Sequence, residues 1–244
     1  MKLFIDNKQY RTIIITEQQA ERLHEATDGH FSADELNAID DFKGKVQYCI
    51  QHLGNYIAAG SSRAVFQIDD EKVLKLAYNE AGRAQNVEEM RWSDGRYTFL
   101  PKIYDSAEHG DWMVSEFVLP AEEADFAYYF SKHLPDECKR LISTWGEFTE
   151  FIHSIEATVK NRAWKFFSDA KLSLLRSDPL LNEVADYIER TKMSTGDLTI
   201  LRNWGLAKRN GDAMPVLLDA GWRNGMYNEF YRGAGPQYID DLMG

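Results

Sequence analysis

Asn203-Trp204-Gly205, a short hairpin, and then Val216-Leu217-Leu218-Asp219-Ala220-Gly221 stand near the C-terminal end of the chain. Asn210-Gly211 between them is a two-residue turn signal, because both central positions of a type I′ turn need positive φ. The flanking runs Gly205 to Lys208 and Pro215 to Leu218 are therefore expected to pair as antiparallel strands. Asn203 and Asp219 stand at the two ends of this unit, one offering an amide oxygen and the other a carboxylate. Such hard oxygen donors suit Mg²⁺, which takes few protein ligands and shares the rest of its shell with nucleotide phosphates. Gly205 and Gly221 permit the local backbone turns.

Reading backwards, the chain supplies further groups of the same chemistry. Lys75 sits in Val73-Leu74-Lys75-Leu76, an apolar strand. A lysine there is costly unless a carboxylate or a phosphate meets it. Residues 79–92 have helical spacing and offer Glu88 and Glu89; Glu89 is the expected partner, since Ala81, Gln85, Glu88 and Glu89 fall near one face. Gly60-Ser61-Ser62 joins two strands, and a turn of small residues lets backbone N–H groups approach phosphate oxygens. Val65, pointing back under that turn, is placed to cover an adenine ring. Glu116-Phe117-Val118 leads out of the last strand of this region toward helix, where Glu116 and Val118 would meet a nucleotide base through main-chain groups.

The organisation around these residues is mixed. Residues 1–53 read as an N-terminal helical extension, with a strand over 9–15, a short helix opened by Thr16, and a second opened by Ser32 with Glu35. Leu36, Ile39, Phe42, Val46, Cys49, Ile50 and Leu53 then form one apolar helix face, expected to pack on the neighbouring domain. Residues 54–119 read as a small antiparallel sheet with one inserted helix: strands over 56–59, 64–68, 72–77, 102–106 and 112–118. Residues 120–244 read as helical, over 121–133, 136–160 and 178–190, with breaks at Pro135 and Ser177-Asp178-Pro179. The hairpin comes next, and Trp222, Arg223, Tyr227, Phe230 and Tyr231 are expected as an aromatic closing element.

Bulk composition narrows the function classes. The chain has 244 residues, 44% hydrophobic and 13% aromatic, enough for a large core or two modest ones. The formal net charge of −11 opposes a phosphate backbone, so a nucleic-acid partner is not expected. Cys49 and Cys138 are too few for a disulfide framework or a four-cysteine zinc site, and point to a reducing, cytoplasmic setting. The first apolar run ends at Ile5-Asp6, so a signal peptide is not expected, and no window approaches a membrane span.

Glycine turn, strand lysine, helix glutamate, Asn loop and Asp-x-Gly, in that order, resemble the protein-kinase-like superfamily, especially the small divergent kinase-like proteins of bacteria and their phages. The likeness runs from about Ile57 to Gly221. Gly60 looks like the second glycine of the glycine-rich loop, with Ala58 and Arg63 where the other two would stand. Lys75, Glu89, Asn203 and Asp219-Ala220-Gly221 match the phosphate-contacting lysine, its helical partner, the catalytic-loop Asn and the metal-binding Asp-Phe-Gly. His-Arg-Asp is absent. Asp197, in Gly196-Asp197-Leu198, is the stand-in for the catalytic Asp and lies six residues before Asn203, where the family pattern has five. After Gly221 the chain has 23 residues more, too few for a full activation segment, so a conventional protein kinase is not expected. The resemblance implies an α+β, two-lobed protein-kinase-like fold: a small antiparallel sheet lobe plus a helical lobe, carrying the N-terminal helical extension. It implies ATP and Mg²⁺ as ligands and transfer of a phosphoryl or nucleotidyl group to a small molecule or a host or partner protein. The rival reading from another class is a non-catalytic pseudokinase-like module that binds a partner protein.

Overall fold

A computed structural model of the chain describes residues 31–53, 55–192, 195–209, 211–221 and 230. The strand expected over 9–15, the helix from Thr16, and the closing residues other than Phe230 lie outside these. The architecture is α+β, with a five-stranded antiparallel sheet, a three-stranded sheet and helices around both.

Among the described residues two helices come first, α1 (Ala33–Asn37) and α2 (Phe42–His52). Ser32 caps α1 by accepting from the Glu35 amide at 3.3 Å, and Asp41 caps α2 through the Gly44 amide at 2.8 Å. The five-stranded sheet is next: β1 (Asn55–Ala59), β2 (Arg63–Gln67), β3 (Lys72–Ala77), β4 (Ile103–Ser106) and β5 (Trp112–Glu116), in the spatial order β1-β2-β3-β5-β4. Helix α3 (Glu80–Trp92) is inserted after β3, and Asn79 caps it through the Gly82 amide at 2.9 Å.

Register decides what each face of this sheet does. Phe66 lies opposite Leu74 and Leu74 opposite Val114, all on one face. That face, with Ala64, Leu76 and Trp112, forms a core with Leu36, Val46, Cys49 and Leu53. The apolar stripe read in residues 36–53 thus packs on the sheet, as two capped helices. Val65 lies opposite Lys75 and Lys75 opposite Met113, so these share the other face, toward α3.

Residues Leu119–Pro120 form the short strand β6, which pairs with β7 (Trp204–Arg209); β7 pairs with β8 (Asp212–Leu217) across a turn in which Gly211 has φ +93°. Between them lie α4 (Glu123–His133), α5 (Asp136–Lys139), α6 (Trp145–Val159), α7 (Asp169–Leu175), α8 (Pro179–Thr191) and α9 (Thr195–Leu198). The helix expected over 136–160 is interrupted at residues 140–144. Thr144 and Glu147 form a capping box that starts α6 afresh. The second core gathers around fully buried Trp204, which packs on Phe99, Phe126, Trp145 and Phe148. Among the described residues no helix is long and apolar enough to cross a membrane.

Candidate functional site

Lys75, on the central strand β3, points at α3 because of the register just described. Its Nζ donates to Glu89 Oε2 at 2.6 Å and to the Leu218 carbonyl at 2.7 Å. Both side chains are buried, Glu89 to 1% exposure. Burial holds the Lys75 ammonium below the ordinary lysine value, and the Glu89 charge opposes that fall. Glu88, the other carboxylate on this turn, instead accepts from the Trp92 indole at 2.7 Å. The bond to Leu218 brings the strand lysine to the residue immediately before Asp219.

Arg63 completes the cluster, and the sequence reading missed it. It lies two residues before Val65 and so shares the Lys75 face. Its Nη1 donates to Glu89 Oε1 at 2.6 Å and to Asn86 Oδ1 at 3.1 Å, and its Nη2 donates to Asp219 Oδ1 at 2.8 Å. Glu89 therefore bridges two cations, one on each oxygen, and Arg63 bridges two carboxylates. The four formal charges cancel. Asn86 is fully buried and also donates to the Gly110 carbonyl at 2.8 Å, which fixes α3 against the sheet. The available signal was the pair of amides Gln85-Asn86 one turn before Glu89, of which Gln85 was expected on the Glu89 face.

Asn203 and Asp197 meet through one hydrogen bond: the Asn203 amide nitrogen donates to the Asp197 carbonyl at 3.0 Å. Residues Leu201–Asn203, at the end of the segment between them, form a single 3₁₀ turn. The Leu218 amide donates to the Asn203 carbonyl at 2.6 Å, so Asn203 sits beside the segment that carries Asp219. Burial first, and then the charge of Asp219, push the Asp197 carboxyl up to about 6, with Arg202 opposing. The carboxylates of Asp197 and Asp219 therefore repel each other.

The donor chemistry here fits a hard cation. Asn203 spends its nitrogen on Asp197 and leaves its oxygen as the acceptor end, and a cation relieves the repulsion between the two carboxylates. Among the described residues no group of three His, Cys, Asp or Glu side chains could hold a metal, so a metal here depends on ligand oxygens as well. Asp219 Oδ1 already accepts from Arg63, and a metal must contend with that guanidinium.

The remaining expected residues are distributed around this cluster. The Gly60 amide of the Gly60-Ser61-Ser62 turn, expected to approach a phosphate, instead donates to the Arg63 carbonyl at 2.9 Å. The turn's carbonyls accept from the Tyr78 hydroxyl at Gly60, the Asn79 side-chain amide at Ser61 (3.2 Å) and the Tyr78 backbone amide at Ser62 (3.0 Å). Ser62 is buried and donates to Gln85 Oε1 at 2.8 Å. Val65 is half-buried on the Lys75 face. Glu116 is engaged by Arg209 at 2.5 and 2.6 Å. Burial would raise its carboxyl, yet Arg209 and the Lys102 amide hold it below the ordinary glutamate value. Val118 packs with Ala207 and Val216.

Two glycines are fixed by close approach. A Cβ on Gly205 would stand 2.7 Å from Val118 Cγ1 and against the Leu119 carbonyl, and one on Gly221 would stand 2.5 Å from the Gln85 carbonyl. Gly221 thus lets the Asp219 segment lie directly on the backbone of α3.

Compared with protein-family models and with curated proteins, the chain matches none. A cavity of about 480 Å³ lies on another side of α3, lined by Arg83, Val87, His109, Asp111 and Phe230 among others, away from Lys75 and Asp219.

Proposed function

We propose that the chain adopts a two-lobed, protein-kinase-like arrangement and binds ATP with Mg²⁺ in the cleft between sheet and helices, for phosphoryl or nucleotidyl transfer to a hydroxyl acceptor. The observation that carries this is the buried Lys75, bonded at once to Glu89 and to the carbonyl beside Asp219. No apolar core needs such a lysine, whereas a phosphate-binding cleft does.

Lys75 grips phosphate oxygens, and Glu89 holds its ammonium in place. Asn203 and Asp219 would hold the metal, which when bound neutralises charge on the phosphates. Asp197 positions the acceptor hydroxyl and takes its proton; a carboxyl raised to about 6 is a stronger base than an ordinary aspartate and is still ionised at neutral pH. Val65 covers the base, and main-chain groups at Glu116 and Val118 meet its edge.

The Arg63–Asp219 ion pair favours a second reading, a non-catalytic module that binds a partner protein, because it occupies a carboxylate that catalysis needs. Thermal-shift titration separates the two. At 100 times Kd, Mg-ATP should stabilise the native protein by about 2.7 kcal/mol, a shift of about 5–10 °C. Lys75→Met, in which Arg63 still pairs Glu89, should lose that response. A native protein indifferent to Mg-ATP would leave the second reading in place.

A further inference from the structure

We infer that Arg63 is a phosphate-binding residue that keeps a bare metal ion off Asp219, so that metal and nucleotide enter the cleft only together. The inference rests on the nucleotide reading above and adds to it a residue and a rule of binding order.

The guanidinium is positioned rather than merely present. Asn86 and Glu89, both buried, orient Nη1, and Nη2 reaches Asp219. It shares a sheet face with Lys75, and Glu89 holds the two cations on its two oxygens. A planar fork beside an ammonium is the arrangement that fits phosphate oxygens best.

A metal arriving alone meets a carboxylate already neutralised by Arg63. To take that oxygen it must drive the guanidinium away, and Arg63 would then lean on Glu89, which already serves Lys75. A triphosphate arriving alone must compete with Asp219 for Arg63 and leave that carboxylate facing the phosphates near Asp197. When both arrive, Arg63 exchanges Asp219 for a phosphate oxygen and Asp219 exchanges Arg63 for the metal. Every charge then keeps a partner. Each ligand therefore tightens the other, and by linkage the two factors are equal.

The test uses Mn²⁺ alone, counted by the paramagnetic resonance of the free ion, and ATP alone, followed by calorimetry. The native protein should bind each weakly, and each should tighten the other by a common factor of about 5- to 150-fold. Arg63→Gln should bind Mn²⁺ alone more tightly, bind ATP less tightly, and lose most of the mutual factor. Arg63→Lys keeps a charge for Glu89 and phosphate but cannot bridge to Asp219. It should bind Mn²⁺ alone more tightly while retaining ATP, and it answers the question even where the Gln variant fails to fold. Equal Mn²⁺ affinity in the native and folded variant proteins, or a mutual factor unchanged by substitution, overturns the role of Arg63 and leaves the nucleotide reading standing. No ATP binding by the native protein with Mn²⁺ present overturns both.

Discussion

Asp197→Asn should make the protein more stable at neutral pH. The carboxyl lies at about 6 in the folded chain against an ordinary value of 3.8, so the folded state binds the proton more tightly than the unfolded state. The corresponding stability is fully present below the unfolded value and is lost as the pH rises through about 6. At pH 7.5 the ionised carboxylate, partly desolvated and facing Asp219, is a net cost. At 1.36 kcal/mol per pH unit, the interval from 3.8 to about 6 sets a ceiling of about 3 kcal/mol. Asp197 is only partly buried, so solvent screening brings the expected gain down to about 1 kcal/mol. An amide keeps the shape and removes the charge. Thermal melts at pH 7.5 should show the variant about 2–4 °C above the native protein, with the difference closing as the pH falls toward 4. On the phosphotransfer reading the same variant loses roughly 10²-fold or more in turnover. A variant that melts lower at pH 7.5, or by a difference independent of pH, would refute the reasoning and make Asp197 an ordinary structural residue.

Glu89→Gln should be among the most damaging single changes, because it strips both Lys75 and Arg63 of a shared buried carboxylate. Urea unfolding should register about 3–5 kcal/mol, and a loss below about 1 kcal/mol would contradict the network. The glycines should divide sharply. Gly205→Ala drives a methyl into Val118 and the Leu119 carbonyl and should cost about 1–3 kcal/mol. A Cβ on Gly60 meets nothing within 4 Å, so Gly60→Ala should melt within about 0.5 kcal/mol of the native protein.

The legible parts of the chain were those written locally. Alternating and apolar runs gave the five strands of the large sheet and the hairpin, and the lysine in Val73-Leu74-Lys75-Leu76 announced a partner one helix later. Arg63 was illegible for a physical reason: its decisive contact, Asp219, lies 156 residues away in sequence. Beside a glycine turn an arginine reads as a missing glycine, and only the folded chain shows where its fork goes. The break before α6 was written in Thr144 and Glu147, but the apolar residues on either side masked it. Helix α7 buries only Leu172 and Leu175, too few to leave a periodic trace. Asp41, capping α2 through Gly44, divides an apolar stripe that reads as one helix when the side chains alone are counted.

The passage from the large sheet to the small one is short and bolted at both ends. Glu116 is gripped by both Nη atoms of Arg209, Leu119 and Pro120 pair with Leu206 and Gly205, and the Leu217 amide donates to the Phe99 carbonyl at 2.8 Å. Gly205 lets these backbones touch without a side chain between them. Such a crossing behaves as a strut rather than a hinge. On the nucleotide reading proposed above, the two sheets would therefore stay together as one piece beside the ligand, and the part left to adjust would be the Gly60-Ser61-Ser62 turn, tied to Tyr78, Asn79 and Gln85. A site built on that reading would admit its ligand as a lidded box does, by a local shift of one turn, and not as a jaw does, by swinging one sheet away from the other.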